Sequence, residues 1–222
     1  MNFNLPEILT HIGHSEKVFN MKRLFLILIL TLSFQTWTKA DDLRDLEIEG
    51  ISIGENALDY FSKEEIDANK TYYPNSKRIW KSLFILNDKE YDSLQLHLKS
   101  ENNKYIIVGI AGLIYFYDEK DSFNQCIKKR SVIVSDLEEA LKNTKKSDEE
   151  KDTYASDKSG KSYVLGIYFD FKDDFSEYVK VACTTFSDKF REENNFPPSY
   201  LRVGLTSTEF HLWLKKEAFK QP

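Results

Sequence analysis

From residue 93 the chain sets a two-residue rhythm. Leu94, Leu96 and Leu98 interleave with Gln95, His97 and Lys99, which predicts a strand with one buried face and one wet face. Residues 105–117 then run almost wholly apolar or aromatic, as a central strand covered on both faces would. Gly109 and Gly112 inside that run predict a bulge or a close backbone approach. Residues 80–86 read as a further strand. Residues 163–171 and 178–185 read as a hairpin closed by a Lys-Asp-Asp turn, with Val179, Val181 and Cys183 on its inward face. After Pro197 and Pro198 comes a last strand over 200–205.

The strongest helical period spans 122–143. Phe123, Cys126, Ile127, Val134, Leu137 and Leu141 fall mostly at steps of three and four, and only Arg130 breaks the stripe. Ser122 with Gln125 resembles a start cap, and Ser135 with Glu138 would start a second helix if the first broke near Ser131. Thr206 with Glu209 caps a terminal helix of about 207–219, which carries Phe210, Trp213 and Leu214 on one side. Ser62 with Glu65 forms a capping box for a short helical turn. Residues 41–54 read as a short strand or extended lead-in, 69–76 as a loop, and 144–162 as a polar exposed loop. The fold class is α+β: a mostly antiparallel sheet of five to seven strands, with the long and the terminal helix packed on one face.

Residues 21–40 change the picture of where this domain works. Lys22 and Arg23 precede an apolar core over 24–32, and Thr38 and Ala40 sit three and one positions before a cut at Asp41, the pattern of a secretory signal peptide. The expected organisation is an upstream segment 1–20 that is not translated or not ordered, a signal peptide 21–40, and a single domain 41–222. The alternative is a membrane anchor retained through uncleaved 24–37. Loss of residues 1–40 removes four basic and two acidic side chains, so the net charge moves from −5 to −7. A domain of that charge is repelled by nucleic acid, and no nucleic-acid partner is expected. Two cysteines in an exported chain have one intramolecular pairing available, Cys126 with Cys183; the alternative is two buried thiols that never meet.

Candidate chemistry is sparse. Residues 155–162, ASDKSGKS, fit a relaxed phosphate-loop pattern, but the flanks reverse what that loop needs: a polar run precedes it and a strand follows. His97 and His211 stand far apart with no second ligand at helical or hairpin spacing, so no metal is assigned. The acid pairs at 64–65, 138–139, 149–150 and 173–174 read as solvated surface, no G-x-S-x-G is present, and no catalytic residue or cofactor is assigned. Domain 41–222 holds twelve Tyr, twelve Phe and two Trp. Among these, Tyr115, Tyr117, Tyr168 and Trp80 are the candidates for an apolar groove, against the simpler reading of aromatic core.

DKSGKS at 157–162, a strand bearing a cysteine, LRVGL at 201–205, TEFHLWL at 208–214 and IEGISIGENALDYF at 48–61 resemble a group of small exported bacterial proteins. That resemblance implies an exported α+β domain and nothing about substrate. The lead-in is also similar to the small lipoproteins that assist outer-membrane assembly, although this chain has no lipobox cysteine near its cleavage site. The expected function is a non-catalytic envelope protein, periplasmic or extracellular, that binds a protein partner or an apolar ligand. The alternatives are a structural or stress-response protein, and a hydrolase-like enzyme with carboxylates distant in sequence.

Overall fold

The structure is a computed structural model and describes residues 42–219; the segment 1–20 and the expected signal peptide lie outside the described residues. Among the described residues nine strands form: β1 (Lys70–Tyr73), β2 (Ser76–Ile85), β3 (Ser93–Glu101), β4 (Lys104–Phe116), β5 (Lys145–Lys146), β6 (Glu150–Thr153), β7 (Tyr163–Asp170), β8 (Tyr178–Thr185) and β9 (Ser199–Thr206). All pair antiparallel in one sheet of order β1-β2-β3-β4-β9-β8-β7-β5, with β6 also on β7. The fold is therefore α+β, with more strands than the five to seven expected. The additions, β1, β5 and β6, lie in the two segments read as loops. These strands join the sheet edges through backbone pairing, and β5 and β6 are exposed at every position, so no apolar period marks them.

Four α-helices among the described residues accompany the sheet. In α1 (Lys63–Ala68) the expected Ser62–Glu65 capping box is formed. The long helix α2 (Ser122–Ala140) runs unbroken past Ser131; Asp121, not Ser122, is its N-cap, and the Ser122 hydroxyl instead donates to Ser199 Oγ at 3.3 Å. A third helix that the sequence reading did not assign, α3 (Asp188–Asn194), is capped by Ser187. The terminal helix α4 (Thr208–Trp213) is also capped by serine, Ser207, and ends in a π turn over Leu214–Ala218. The lead-in is not a strand. It makes a 3-10 turn at Leu43–Asp45 and a tight Ile48–Ile51 bridge through Gly50 at φ +78°, and its Leu43, Ile48, Ile51 and Ile53 are all buried.

Alternation divides the sheet into two unlike faces. One carries Leu94, Leu96, Leu98, Val179, Val181, Leu201 and Val203, and is closed by the lead-in, α1 and α2. Cys126 of α2 and Cys183 of β8 meet there, 5.9 Å apart at Cα, in a disulfide. Arg130, the break in the helical stripe, is buried on this side, donating to Leu165 O at 3.0 Å and to the Glu149 carboxylate. The other face is covered in part: Phe210 and Trp213 pack on Ile79 and Val108 at one end, and Phe186 packs on Tyr200, Tyr154 and Phe196 at another. A register shift in β4 beside His97 makes the expected bulge, and a Cβ on Gly109 would stand 2.7 Å from Phe210 Cδ1, so the glycine admits the helix. The two main helices thus sit on opposite faces, not together on one.

Candidate functional site

Beyond α4 the uncovered face is paved with small residues. Ala111 of β4 pairs with Gly204 of β9, and Ala182 of β8 lies between Arg202 of β9 and Gly166 of β7. Such positions leave room for long side chains to lie flat. Arg202 does so: its Nε is 3.5 Å from where a Gly204 Cβ would be, and its guanidinium reaches across to Gln95 Oε1 at 2.6 Å and His97 Nε2 at 3.2 Å.

His97 was expected on a wet strand face; it is 4% exposed. Phe210 stacks on its ring at 4.3 Å between centroids, and Tyr73 Oη lies 2.7 Å from Nδ1. An arginine can only donate, so Nε2 accepts from Arg202 and the ring proton sits on Nδ1, donated to Tyr73. Burial, then the charges of Arg202 and Lys81, hold the imidazole well below its ordinary pKa, which keeps that tautomer neutral. His97 is thereby a fixed strut for the guanidinium, not a ligand or a base.

A cleft of about 450 Å³ opens above Arg202, Gln95 and Lys81. Tyr115, Tyr117, Tyr154 and Tyr200 wall it, with Phe196 and Pro197 from the loop after α3. Leu83 and Leu113 add apolar surface, and Ile85 projects from the end of β2 at 70% exposure. No carboxylate lines the cleft. Among the described residues neither Arg202 nor Lys81 has an acidic partner, and Lys81 is pushed below the ordinary lysine range by burial and by Arg202. Two desolvated cations that repel each other, inside an acidic domain, make a focus of positive potential.

Of the four aromatics proposed for a groove, Tyr115 and Tyr117 line this cleft. Tyr168 lines a second one on the same face, and Trp80 belongs to the closed face, buried against Tyr105 with the Lys70 ammonium 4.5 Å from its ring centroid. The four do not form one groove: Trp80 faces the closed side of the sheet, and Tyr168 lines a different cleft from Tyr115 and Tyr117. The residues that give the cleft its character, Arg202 and Lys81, were passed over. For Arg202 the signal is a lone charge in an otherwise apolar run near glycine, Leu201-Arg202-Val203-Gly204; Lys81 stands in the mixed run Arg78-Ile79-Trp80-Lys81-Ser82, which carries no such mark. His211 of α4 is half-buried and helps to wall the second cleft, against Tyr178. The DKSGKS turn is structural: Asp157 accepts from the Ser159 and Ser162 N–H groups and from the Ser162 and Ser187 hydroxyls, tying the turn to the start of α3. Comparison with protein-family models, with curated protein sequences and with solved structures finds no match.

Proposed function

We propose that this chain is an exported, non-catalytic envelope protein that binds a small ligand with an anionic head and an apolar body in the Arg202 cleft. The observation that carries the reading is the Arg202–Lys81 pair, facing a tyrosine-walled cleft with no acid of its own. Arginine presents a planar fork suited to a carboxylate or phosphate, and Gln95 and His97 hold that fork from behind. The exposed Leu83, Ile85, Tyr117 and Phe196 supply apolar surface for the remainder of the ligand. Export is supported by the disulfide, a bond of oxidising compartments. No helix among the described residues is long and apolar enough to cross a membrane.

Decanoate and decanol test the reading by calorimetry, since they share a tail and differ in charge. Decanoate binds, added salt weakens it, and Arg202→Gln lowers its affinity by about tenfold or more, the worth of a charged hydrogen bond. Decanol binding as tightly as decanoate, or an unchanged affinity in Arg202→Gln, refutes it.

A further inference from the structure

The second cleft on the open face, about 240 Å³, has the opposite character. It lies between β6, β7 and β8, the loop that joins β7 to β8, and α4. Tyr168, Tyr178, Phe175 and His211 wall it, and Glu150 and Asp170 are its charged groups. The walls stand at steep angles: Tyr168 to Tyr178 at 74° and Tyr178 to His211 at 89°.

Asp170 is the unusual member. It is 5% exposed, lines the cleft, and among the described residues its carboxyl group has no hydrogen-bond or ion-pair partner. Its cross-strand neighbours are Lys145 and Tyr178. Lys145 does not pair with it; that ammonium rests 5.0 Å from the centroid of Phe175, and Lys180 rests 4.6 Å from that of Tyr168. These rings already attract ammonium groups from within the chain, while the acid has no hydrogen-bonded or ion-paired partner among the described residues. Burial, with Glu150 close by, raises the Asp170 pKa from its ordinary value, and Lys145 only partly offsets this. That carboxylate is nearly buried, has no partner among the described residues and opens onto the cleft, so its charge is answered by what the cleft holds.

We infer that this cleft is a binding site for a small organic cation, an ammonium compound held by the Asp170 and Glu150 carboxylates and by the faces of Tyr168, Tyr178 and Phe175. A metal ion suits the walls poorly, because hard cations take six or more oxygen ligands. Among the described residues no group of three or more His, Cys, Asp or Glu side chains is placed to hold one. Aromatic faces with a carboxylate are the donor set that recognises ammonium. This site is independent of the Arg202 cleft, and its ligand has the opposite charge.

Choline and its uncharged isostere 3,3-dimethylbutanol decide the matter, with ethanolamine as the unmethylated arm. Thermal shift and calorimetry are run on the purified protein and on Asp170→Asn and Arg202→Gln. The expected result is binding of choline or ethanolamine, with the isostere weaker. Asp170→Asn lowers the affinity by about thirtyfold or more, the lower end for removing one member of a buried charge pair, while Arg202→Gln leaves it unchanged. Asp170→Asn replaces an unpartnered group and keeps its shape, so it folds; its melting temperature at neutral pH is at or above the parent's. Equal binding of the isostere, undiminished binding in Asp170→Asn, or no binding of either amine overturns the inference. A failure of decanoate in the other cleft leaves it standing.

Discussion

The same strands present Leu96, Leu98, Val181, Cys183, Leu201 and Val203 to one side, and Gln95, His97, Lys180, Ala182, Arg202 and Gly204 to the other. The first set is sealed beneath α2 and the lead-in and stapled by a disulfide. The second is covered by Phe210 and Trp213 at one end and by the Phe186 cluster at another, and between them it holds cations over a floor of glycine and alanine. The difference teaches where each kind of free energy resides. Apolar burial and cross-linking are concentrated on the closed face. The open face keeps groups a stability-optimised sheet would discard: two cations repelling each other and a buried acid with no partner.

Removing the staple should have the largest effect on that contrast. Replacing both cysteines by serine frees a loop of sequence separation 57, which loop-closure entropy values at about 4 kcal/mol. Denaturant melts should show that loss, while decanoate and choline affinities of the folded protein stay unchanged. A loss under about 1 kcal/mol would mean that the helix-to-sheet packing alone holds the closed face. Next come two leucines from neighbouring strands. Leu98→Ala opens a cavity in the closed face and should cost about 2–5 kcal/mol. Leu83, 37% exposed on the open face, should cost within about 0.5 kcal/mol. Similar shifts of the urea midpoint for the two would show that the open face is covered in solution.

Smaller still is the effect of Lys81→Gln. It removes one of two repelling cations, so stability should hold or rise by under about 1 kcal/mol while decanoate affinity falls. A clear loss of stability would make Lys81 a structural group and weaken the contrast between the faces.

How much of this was legible depended on what each feature writes into the sequence. The α+β class, the leucine face of β3 and the strands of the β7–β8 hairpin rest on apolar period, and the bulge in β4 rests on glycine within an apolar run; both signals are visible. The edge strands were not, because exposed backbone pairing places no demand on side chains such as Glu150, Lys151, Asp152 and Thr153. The placement of α4 was hidden because Gly109 and Phe210 meet across about a hundred residues, and it is α4's Phe210, with Tyr73 and Arg202, that covers His97. The aromatic reading located Tyr115 and Tyr117 but missed Arg202, since the meaning of a charge in a strand depends on the neighbours the sheet supplies. Glu150 was read as solvated surface; exposed as it is, the fold places it at a cleft with Asp170.

Two carboxyls give the finest test, because their pH signatures should run in opposite directions. Asp157 is held far below the ordinary carboxyl range by hydrogen bonds, the Ser162 hydroxyl foremost, with Ser159 and Ser187 adding to it. The stability it contributes is present above the unfolded carboxyl pKa and is lost as the pH falls toward its folded value. Asp170 is raised by burial and by Glu150, so its ionisation opposes folding. That penalty is absent in acid and grows as the pH rises through the folded pKa. Melting temperature against pH should therefore place Asp157→Asn below the parent at neutral pH and nearer to it in acid. Asp170→Asn should lie above the parent at neutral pH and converge with it in acid, and a saturating ammonium ligand should close that gap by restoring the parent alone. If Asp170→Asn lies below the parent at neutral pH, the carboxylate is compensated within the fold. The open face would then be as fully satisfied as the closed one, and the contrast between them would reduce to the Arg202 cleft.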